Sequence, residues 1–542
     1  MKLSSILYIC NSSNMGGAEK SLIDMLKGMI KKQICPVVII PGKGIIEEKL
    51  QELNIKYYIV NFSNGYGKIG TSTETGEDDN FFDNYLAARK LQEIIKQEKI
   101  QLIHINSSVS NVGAFAALMS DIPYVWHFRE LLEEDFDSEF WDKKLKIKLI
   151  NCANQIITIS DCVQEAYKRK YDVDSVRIYN GIDIEKYLDE DIEGHLQCVE
   201  NNFVITGAIT ENKGQWDAIK AIKLLVEEGI ENVHLTLIGK GGAQFLWVLK
   251  KYVENNHLNK YVDICEFSMD LSELRRGSQF SLTTSKMEAL GRCTIEPMLA
   301  GNLVIGANTG GTLELIGAEQ EKGLLYKQGD YKSLALMMKK ALELDKETQY
   351  RMRKLAQEYA LSVFDLDKYC ENVINVYQAV LEQKKEQRER FELLQELDTG
   401  YEFLKGKEIN EKNILKSDSK SLYAVITDKW EKIHELGYSV KDYLMNKNIK
   451  KVAIYGMGAL GCRLYDEIYS NEISVVYVVD KNARNISQVV MVKEPEVDMG
   501  DIDILIIAVA NEERELVDYY KEKLSVEVVG ISEILENLIN RN

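Results

Sequence analysis

The chain of 542 residues is too long for one ordinary core, and its 45% hydrophobic and 28% charged residues indicate a soluble globular protein of about two to four domains. A formal net charge of −18 argues against a nucleic-acid partner. The nine cysteines form neither a CxxC pair nor a cluster with histidine. We therefore expect no zinc site and no disulfide framework, only free thiols in a reducing compartment.

The sequence has no stretch near the roughly 20 apolar residues that a membrane-spanning helix needs. The apolar run at residues 6–10 is also too short for the core of a signal peptide. We therefore expect a cytoplasmic protein, with peripheral contact at the inner face of the membrane left open.

Residues 6–10 predict a first strand, and residues 18–32 predict an amphipathic helix after it. Gly16 and Gly17 stand in the connecting loop. A strand, a glycine pair and a helix bring backbone amides against a phosphate, but a tight turn without a ligand explains the glycines equally well. A further strand at residues 37–40 continues the alternation of strand and helix, which favours a parallel sheet.

Residues 62–83 are polar, acidic and glycine-bearing, so they favour a mobile loop. Two apolar strands follow, within residues 102–108 and 123–130, and each ends in polar residues. Ligands of open α/β sheets bind at such carboxyl ends. His127 is therefore a site candidate, although a lone histidine is more often structural. His104 lies inside the first of these strands, where we expect it in the core.

An acidic stretch from residue 189 to residue 200 gives the expected boundary after this first domain. The next domain begins with a strand, a turn that contains Lys213 and Gly214, and a helix. A lysine at a junction between strand and helix can offer its ammonium to a diphosphate.

Residues 283–316 carry the most specific pattern. Glu288 and Glu296 stand eight positions apart, with Gly291 and Arg292 between them, and a strand precedes them. Free amides at a helix N-terminus favour a phosphate, whereas carboxylates accept hydrogen bonds from hydroxyls. A ligand with both groups fits, and a sugar nucleotide is the simplest one. A capped surface helix with solvated carboxylates is the alternative.

This stretch, together with the segment GGAE at residues 16–19, resembles retaining glycosyltransferases of family 4. The resemblance covers residues 1–381 and implies an α/β structure of the GT-B type, in which two Rossmann-like domains face a cleft. It also implies a nucleotide-sugar donor on the second domain. In this family Glu296 would hold the ribose hydroxyls, Glu288 the sugar hydroxyls, and His127 would contact the transferred sugar.

The resemblance thus assigns two sets of residues to the reaction. Those expected at the reacting centre are His127, Lys213, Glu288 and Arg292. Those expected on the donor are Gly16, Gly17, Gly291, Glu296 and Thr312. No metal ion is expected at the site, and no cofactor is required, since the nucleotide sugar is a substrate.

One departure from the family concerns the leaving diphosphate. The family usually has an arginine five residues before the lysine, and Ala208 stands there in this sequence. Arg292 is our candidate to supply the missing guanidinium, with a surface arginine as the alternative. Arg275 and Arg276 are further candidates.

The C-terminal part is a separate unit. After a charged segment, a strand, a glycine-rich turn and a helix fit the Rossmann fingerprint, with an acidic residue nineteen positions after the last glycine. The fingerprint residues are Gly456, Gly458, Gly461 and Asp480. They predict a nucleotide site, or else a glycine-tight turn that packs helix on sheet without a ligand.

The sequence therefore predicts four segments: 1–190, the acceptor-side GT-B domain; 191–381, the donor-side GT-B domain with a crossover helix at its end; 382–448, a helical or charged linker; and 449–542, a small Rossmann-like accessory domain. The expected function is retaining transfer of a sugar from a nucleoside-diphosphate sugar, UDP-sugar being favoured, to a glycan or lipid-linked glycan in surface-polysaccharide assembly. Two alternatives stay open. One is a non-catalytic GT-B protein that binds a glycan or stabilises a partner, and the other is an NAD-dependent oxidoreductase centred on the last domain.

Overall fold

The computed structural model describes residues 5–197, 201–265, 271–382, 387–411, 422–480, 486–493 and 501–540. The chain forms two compact units. Unit one consists of residues 1–207, 212–236 and 268–413, and unit two consists of residues 208–211, 237–267 and 414–542. Unit one holds most of both segments expected as GT-B domains, so the division at residue 190 stays a prediction.

Strands and helices alternate along the N-terminal part of unit one, as the sequence pattern predicts. Its elements are β1 (Ser5–Ile9), α1 (Gly17–Lys31), β2 (Cys35–Ile40), α2 (Ile45–Glu52), β3 (Lys56–Ile59), β4 (Tyr66–Lys68), α3 (Glu74–Gln97), β5 (Leu102–Ile105), α4 (Val112–Met119), β6 (Tyr124–Phe128), α5 (Leu132–Phe136), β7 (Ser138–Phe140), α6 (Lys143–Asn151), β8 (Gln155–Thr158), α7 (Asp161–Tyr171) and β9 (Val176–Arg177).

In the described residues, seven parallel strands form the first sheet in the order β3-β2-β1-β5-β6-β8-β9. Alternate residues of β1 enter two hydrophobic clusters, Leu7 and Ile9 on one face and Ile6 and Tyr8 on the other. Because both faces are buried, the strand is a continuous apolar run rather than an alternating one. The strand order reverses between β1 and β5, where open α/β sheets bind ligands beyond their carboxyl ends.

The expectation of a mobile loop at residues 62–83 is wrong. Strand β4 pairs antiparallel with β7, and α3 covers the second half of the segment. The Thr73 hydroxyl caps this helix by accepting a hydrogen bond from the Gly76 amide at 3.1 Å. The polar composition of the segment gave no sign of this structure, because polar side chains such as that of Asn80 are buried there.

The rest of unit one, with the two segments that join unit two, continues the alternation. The elements are α8 (Ile192–Gln197), β10 (Asn202–Thr206), α9 (Gln215–Glu227), β11 (His234–Ile238), α10 (Ala243–Asn255), β12 (Val262–Cys265), α11 (Leu271–Arg276), β13 (Phe280–Thr283), α12 (Arg292–Leu299), β14 (Leu303–Ala307), α13 (Gly310–Ile316), β15 (Leu324–Tyr326), α14 (Tyr331–Glu343), α15 (Lys346–Val363) and α16 (Leu366–Glu382). In unit one, β10, β13, β14 and β15 are adjacent and parallel in that order.

Helix α16 crosses back onto the N-terminal sheet, as the family resemblance implies. Its Tyr377 hydroxyl lies 2.7 Å from Nδ1 of His104 in β5. His104 is fully buried, which confirms that it belongs to the core.

Helix α17 (Gln387–Glu411) also belongs to unit one. Leu393 and Leu397 are buried in its core, and the Tyr85 hydroxyl donates to Oδ1 of Asp398 at 2.6 Å. The N-terminal part of the expected linker is therefore a helix that packs on unit one at Leu393, Leu397 and Asp398.

Unit two contains the C-terminal elements. They are α18 (Leu422–Glu435), α19 (Val440–Asn446), β16 (Lys451–Tyr455), α20 (Ala459–Ile468), β17 (Ser474–Val479), β18 (Val492–Lys493), β19 (Ile504–Ile507), α21 (Glu513–Lys523), β20 (Glu527–Gly530) and α22 (Ile531–Ile539). Among the described residues, five parallel strands form its sheet in the order β18-β17-β16-β19-β20, which confirms a Rossmann-like arrangement.

Helix α10 packs on α20 inside unit two. The Trp247 ring meets Tyr465 edge-on, with ring centroids 5.2 Å apart. Its indole Nε1 donates to Oδ1 of Asp466 at 3.0 Å, and the Lys251 ammonium lies 2.9 Å from the same oxygen. A helix that precedes α20 by some two hundred residues is thus part of the same core.

Candidate donor site

The loop between β10 and α9 presents Lys213. A 3₁₀ turn, Glu211–Lys213, leads into α9, and Gly214 joins them with a φ of +69°. A Cβ atom on Gly214 would lie 2.1 Å from the Thr284 carbonyl oxygen, so only glycine permits this close approach. The Thr284 hydroxyl in turn donates to the Lys213 carbonyl at 2.7 Å. These contacts confirm the predicted junction and hold Lys213 against the segment that carries Glu288.

Lys213 and Glu288 form an ion pair. The ammonium lies 2.8 Å from Oε1 of Glu288, and the Ser285 hydroxyl donates to the same oxygen at 2.5 Å. Only 25% of the lysine side chain and 13% of the glutamate side chain are exposed. Burial alone would raise the pKa of Glu288, but the Lys213 ammonium and the Ser285 hydroxyl hold it below its ordinary value. Glu288 is thus an ionised, largely buried carboxylate beside a cation.

A second carboxylate, which sequence reasoning missed, shares Lys213. Asp135 in α5 places Oδ1 3.5 Å from the ammonium, and 7% of its side chain is exposed. Burial raises the pKa of Asp135 to about 6, with Glu288 and Asp137 adding to the rise and Lys213 opposing it. Burial lowers the pKa of Lys213, but the two carboxylates outweigh burial and raise it. No motif or spacing in the sequence relates Asp135 to Lys213, so the sequence carries no signal that identifies Asp135 as a site residue.

Glu296 lies in α12 between two guanidinium groups and is 4% exposed. Arg275 Nη2 is 2.7 Å from its Oε2, and Arg292 Nε is 3.0 Å from its Oε1. Burial would raise the pKa of Glu296, but the two arginines and Lys20 lower it to about 2. A carboxylate offers about four lone-pair sites, so both arginine contacts leave capacity for ribose hydroxyls.

Arg292 is not a surface residue, since only 11% of its side chain is exposed. Its Nη1 lies 2.9 Å from Oδ2 of Asp24 and 3.4 Å from the Ser21 hydroxyl, both on α1. Burial lowers the pKa of Arg292, but Glu296 and Asp24 outweigh burial and raise it. That Arg292 replaces the arginine absent at position 208 stays a prediction.

Arg275, a further candidate for that role, is 1% exposed. Its Nη2 also donates to the Thr206 hydroxyl at 2.9 Å, two residues before Ala208. Its Nε and Nη1 have no hydrogen-bond partner in the part of the chain that the structure describes. The side chain of Arg276 lies outside the described residues.

The expected donor-binding glycines lie at helix N-termini. Gly16 precedes α1 and donates its amide to a glutamate side chain at 3.0 Å, while the space beside Gly17 is open. Gly291 precedes α12 with a φ of +96°. Thr312, by contrast, is 1% exposed within α13 and packs its methyl group against β14. Donor contacts of all four residues stay predictions.

His127 lies inside β6 rather than at its end, and it is fully buried. Arg129 Nη2 lies 3.2 Å from its Nδ1, so Nδ1 accepts and Nε2 carries the proton. Burial, reinforced by Arg129 and His104, holds the pKa of His127 well below its usual range. Nε2 has no hydrogen-bond partner among the described residues. His127 is therefore a neutral donor, and its contact with a sugar stays a prediction.

In unit two the fingerprint turn follows β16. A Cβ atom on Gly461 would lie 1.8 Å from the Gly456 carbonyl oxygen, so helix and turn approach too closely for any side chain. Beside Gly458 the space is open. Oδ2 of Asp480 accepts the Met457 amide at 2.6 Å. Packing thus accounts for one glycine, and a nucleotide here stays a prediction.

Neither a bilayer-spanning helix nor a metal cluster emerges from the described ranges. No helix there combines enough length with enough apolar character to cross a membrane. No group of three or more histidine, cysteine, aspartate and glutamate side chains there could hold a metal ion. The described cysteines are free thiols.

Two family models match the chain. The one described as Glycosyltransferase Family 4 matches residues 15–186, and the one described as Glycosyl transferases group 1 matches residues 195–359. No curated protein sequence matches the chain.

Many solved structures are similar to the chain, including the following three. HepE of Anabaena, in complex with UDP and glucose, is 21% identical with a TM-score of 0.58, over 69% of this chain and 100% of its own. A glycosyltransferase from Rickettsia africae is 17% identical with a TM-score of 0.57, over 71% and 100%. A TarM variant from S. aureus, solved with fondaparinux, α-GlcNAc-glycerol and UDP, is 13% identical with a TM-score of 0.56, over 70% and 100%. The likeness confirms the expected GT-B fold.

Proposed function

The chain belongs to the GT-B glycosyltransferases of the family 4 type, and on this premise we propose that it transfers a sugar from a UDP-sugar to a glycan or lipid-linked glycan. HepE was solved with UDP and with UDP-glucose, and the TarM variant with UDP, which supports UDP as the donor nucleotide. Retention of the anomeric configuration and a role in surface-polysaccharide assembly belong to the same proposal and rest on the family resemblance. A cytoplasmic location is proposed as well, on the apolar pattern of the sequence.

The observation that carries the proposal is the buried ion pair of Lys213 and Glu288, at 2.8 Å. As the bond from the anomeric carbon to the diphosphate breaks, negative charge develops on the diphosphate. A lysine held close to the diphosphate stabilises that charge electrostatically, which is the largest single contribution in many enzymes. When the ammonium faces the diphosphate, Glu288 is released to accept hydrogen bonds from sugar hydroxyls.

Glu296 completes the donor site in this proposal. Its two arginines keep it ionised and fix its side chain, so that its remaining lone pairs accept the ribose hydroxyls. Arg292 also reaches Asp24 on α1, so the donor-side helix α12 and the N-terminal helix α1 are joined at the site. Such a contact favours a closed cleft, which excludes water and favours transfer over hydrolysis.

For unit two we propose an accessory role rather than a second catalytic centre. The space beside Gly458 is open, which supports a nucleotide there, while the acidic residue of the fingerprint is already bonded to the turn. A nucleotide is therefore its proposed ligand, without chemistry of its own.

The test uses the full-length chain with a panel of UDP-sugars, GDP-sugars and ADP-sugars. We expect UDP to raise the melting temperature more than GDP, ADP or NAD, because a ligand of the native state stabilises it. At least one UDP-sugar should release UDP, and the release should persist in excess EDTA, because Lys213 and backbone amides take the diphosphate charge. Stabilisation by GDP alone would overturn the donor assignment, and turnover that needs added manganese or magnesium would overturn the assignment of the charge to Lys213.

A further inference from the structure

Arg129 directly follows β6, and its guanidinium is held by three other segments of unit one. Its Nε donates to the carbonyl and to Oδ1 of Asn106, which follows β5, at 3.1 and 3.0 Å. Its Nη1 donates to Oδ1 of Asn180, beyond β9, and its Nη2 donates to the Tyr369 hydroxyl of α16 at 3.2 Å. Only 5% of the residue is exposed. The position of the guanidinium is therefore fixed by the fold itself.

The partners of this buried cation are neutral groups. Among the described residues, the contacts of the guanidinium include no carboxylate. The neighbouring carboxylate of Glu130 accepts from the Arg129 amide and from two serines instead. A buried charge without an ion partner is costly, so packing alone explains an arginine poorly at this position. Of the groups that the guanidinium contacts, only the His127 ring can take up a proton.

Arg129 decides which nitrogen of His127 carries the proton. Its Nη2 lies 3.2 Å from Nδ1, and a guanidinium can only donate, so Nδ1 accepts and the proton is on Nε2. A second positive charge beside Arg129 is disfavoured, and burial together with this arginine holds the pKa of His127 well below its usual range. Nε2 is buried and has no hydrogen-bond partner within the described part of the chain. His127 is thus a neutral ring with one N–H to offer.

We propose that Arg129 is a positioning residue for the sugar transfer, because it fixes His127 as the tautomer whose Nε2–H donates to a hydroxyl of the transferred sugar. The other neutral tautomer would present a lone pair at Nε2 and could not donate there. Arg129 acts through the ring and does not itself contact the donor. This inference rests on the proposed function, in which His127 contacts the sugar, and it assigns the group that prepares His127 for that contact.

The kinetic test uses the full-length chain and the UDP-sugar that wild type hydrolyses fastest. The variants are Arg129→Met, Arg129→Lys and the matched control Arg169→Met, whose arginine side chain is 72% exposed. We expect Arg129→Met to lower kcat/KM about fivefold to tenfold, the effect of one lost hydrogen bond. The Kd for UDP should stay within about twofold of wild type, because UDP lacks the sugar. Arg129→Lys keeps a donor and should recover most of the loss, and Arg169→Met should match wild type.

A double-mutant cycle separates an action through His127 from a general loss of structure. In the His127→Gln background, Arg129→Met should lower kcat/KM by less than about twofold further, because residues that act through one contact are not additive. Equal losses from Arg129→Met in the wild-type and His127→Gln backgrounds would overturn the proposal. A loss of kcat/KM that equals a loss of UDP affinity would overturn it as well, since Arg129 would then act on the nucleotide.

A spectroscopic test needs neither turnover nor a variant of Arg129. In nitrogen NMR with isotope-labelled histidine, an N–H and a bare ring nitrogen give different signals, and among the six histidines those of His127 are identified by their loss in His127→Gln. We expect a neutral ring with its proton on Nε2 between about pH 5 and 8. A proton on Nδ1, or a charged ring in that range, would overturn the proposal even if Arg129→Met does not fold. A chain that binds no UDP and hydrolyses no UDP-sugar would instead overturn the proposed function, whatever the tautomer.

Discussion

The Lys213 junction of unit one and the Gly456 turn of unit two share one backbone plan. Each follows a buried parallel strand, has a glycine of positive φ and leads into a helix. At the first, a lysine from the turn meets two carboxylates brought from other segments. At the second, Asp480 is bonded to the Met457 amide of the turn itself. Glycine spacing thus specifies the shape of a turn, whereas its chemistry depends on side chains that the fold brings from elsewhere.

Among the substitutions considered, the removal of Lys213 should have the largest effect, because the chemistry of the first turn depends on this side chain. Lys213→Ala should lower UDP-glucose turnover by roughly a hundredfold or more, as loss of a preorganised charge at a reacting oxygen does. It should also cost about 3 kcal/mol of unfolding free energy, because two buried carboxylates lose their cation. Steady-state kinetics measure the change in turnover, and urea unfolding measures the change in unfolding free energy. The control is Lys286→Ala, whose ion pair is about half exposed and should contribute at most about 1 kcal/mol.

Glu296→Ala should reduce both donor binding and stability. Loss of a charge-assisted hydrogen bond to ribose predicts about 1.5–3 kcal/mol weaker UDP binding. The fold should be destabilised as well, since Arg275 and Arg292 would lose their carboxylate. Calorimetric titration with UDP and denaturant unfolding separate the two effects. Unchanged UDP affinity in a folded variant would contradict the ribose role and leave Glu296 as a purely structural partner of the arginines.

The pH dependence of stability should change in Asp135→Asn. The pKa of Asp135 is about 6 in the folded chain and near its ordinary 3.8 when unfolded, so folding favours its protonated form. Its stabilising contribution is therefore complete below about pH 4 and lost as the pH rises through about 6. Asp135→Asn has no such titrating carboxyl, so the difference between its Tm and that of wild type should increase in favour of the variant from about pH 4 to about pH 7. Parallel Tm curves for the two proteins would show that the carboxyl is not perturbed.

The smallest effect is expected in unit two. Asp480→Asn should leave UDP-glucose turnover unchanged and weaken the turn by about 1 kcal/mol, the usual contribution of one hydrogen bond. Thermal shifts with ADP, UDP and NAD on wild type and variant test the nucleotide proposal. A thermal shift with one of these nucleotides in the wild type but not in Asp480→Asn would show that the Gly456 turn binds it. A loss of sugar transfer in Asp480→Asn would show that unit two takes part in the reaction.

What could be predicted from the sequence was local. The Lys213 junction, the Rossmann-like strands and the core position of His104 follow from strand patterns, glycines and strand ends over a few residues. The partners of the site could not be predicted, because Asp135 and Asp24 reach Lys213 and Arg292 only through the fold. His127 was expected at a strand end, since sequence alone does not show that β6 continues to Phe128.

The packing of α10 on α20 limits where the chain can be truncated. The segment matched by the group 1 model contains α10, yet Trp247, which is 7% exposed, packs against Tyr465 and donates to Asp466 of the C-terminal helix α20. A fragment that ends near Leu397, as a simple accessory domain would suggest, would cut α17, uncover the Trp247 indole and leave Lys251 with Glu254 but without Asp466. Such a fragment invites aggregation. Removal of the C-terminal part therefore calls for polar substitutions on the face of α10 that carries Trp247.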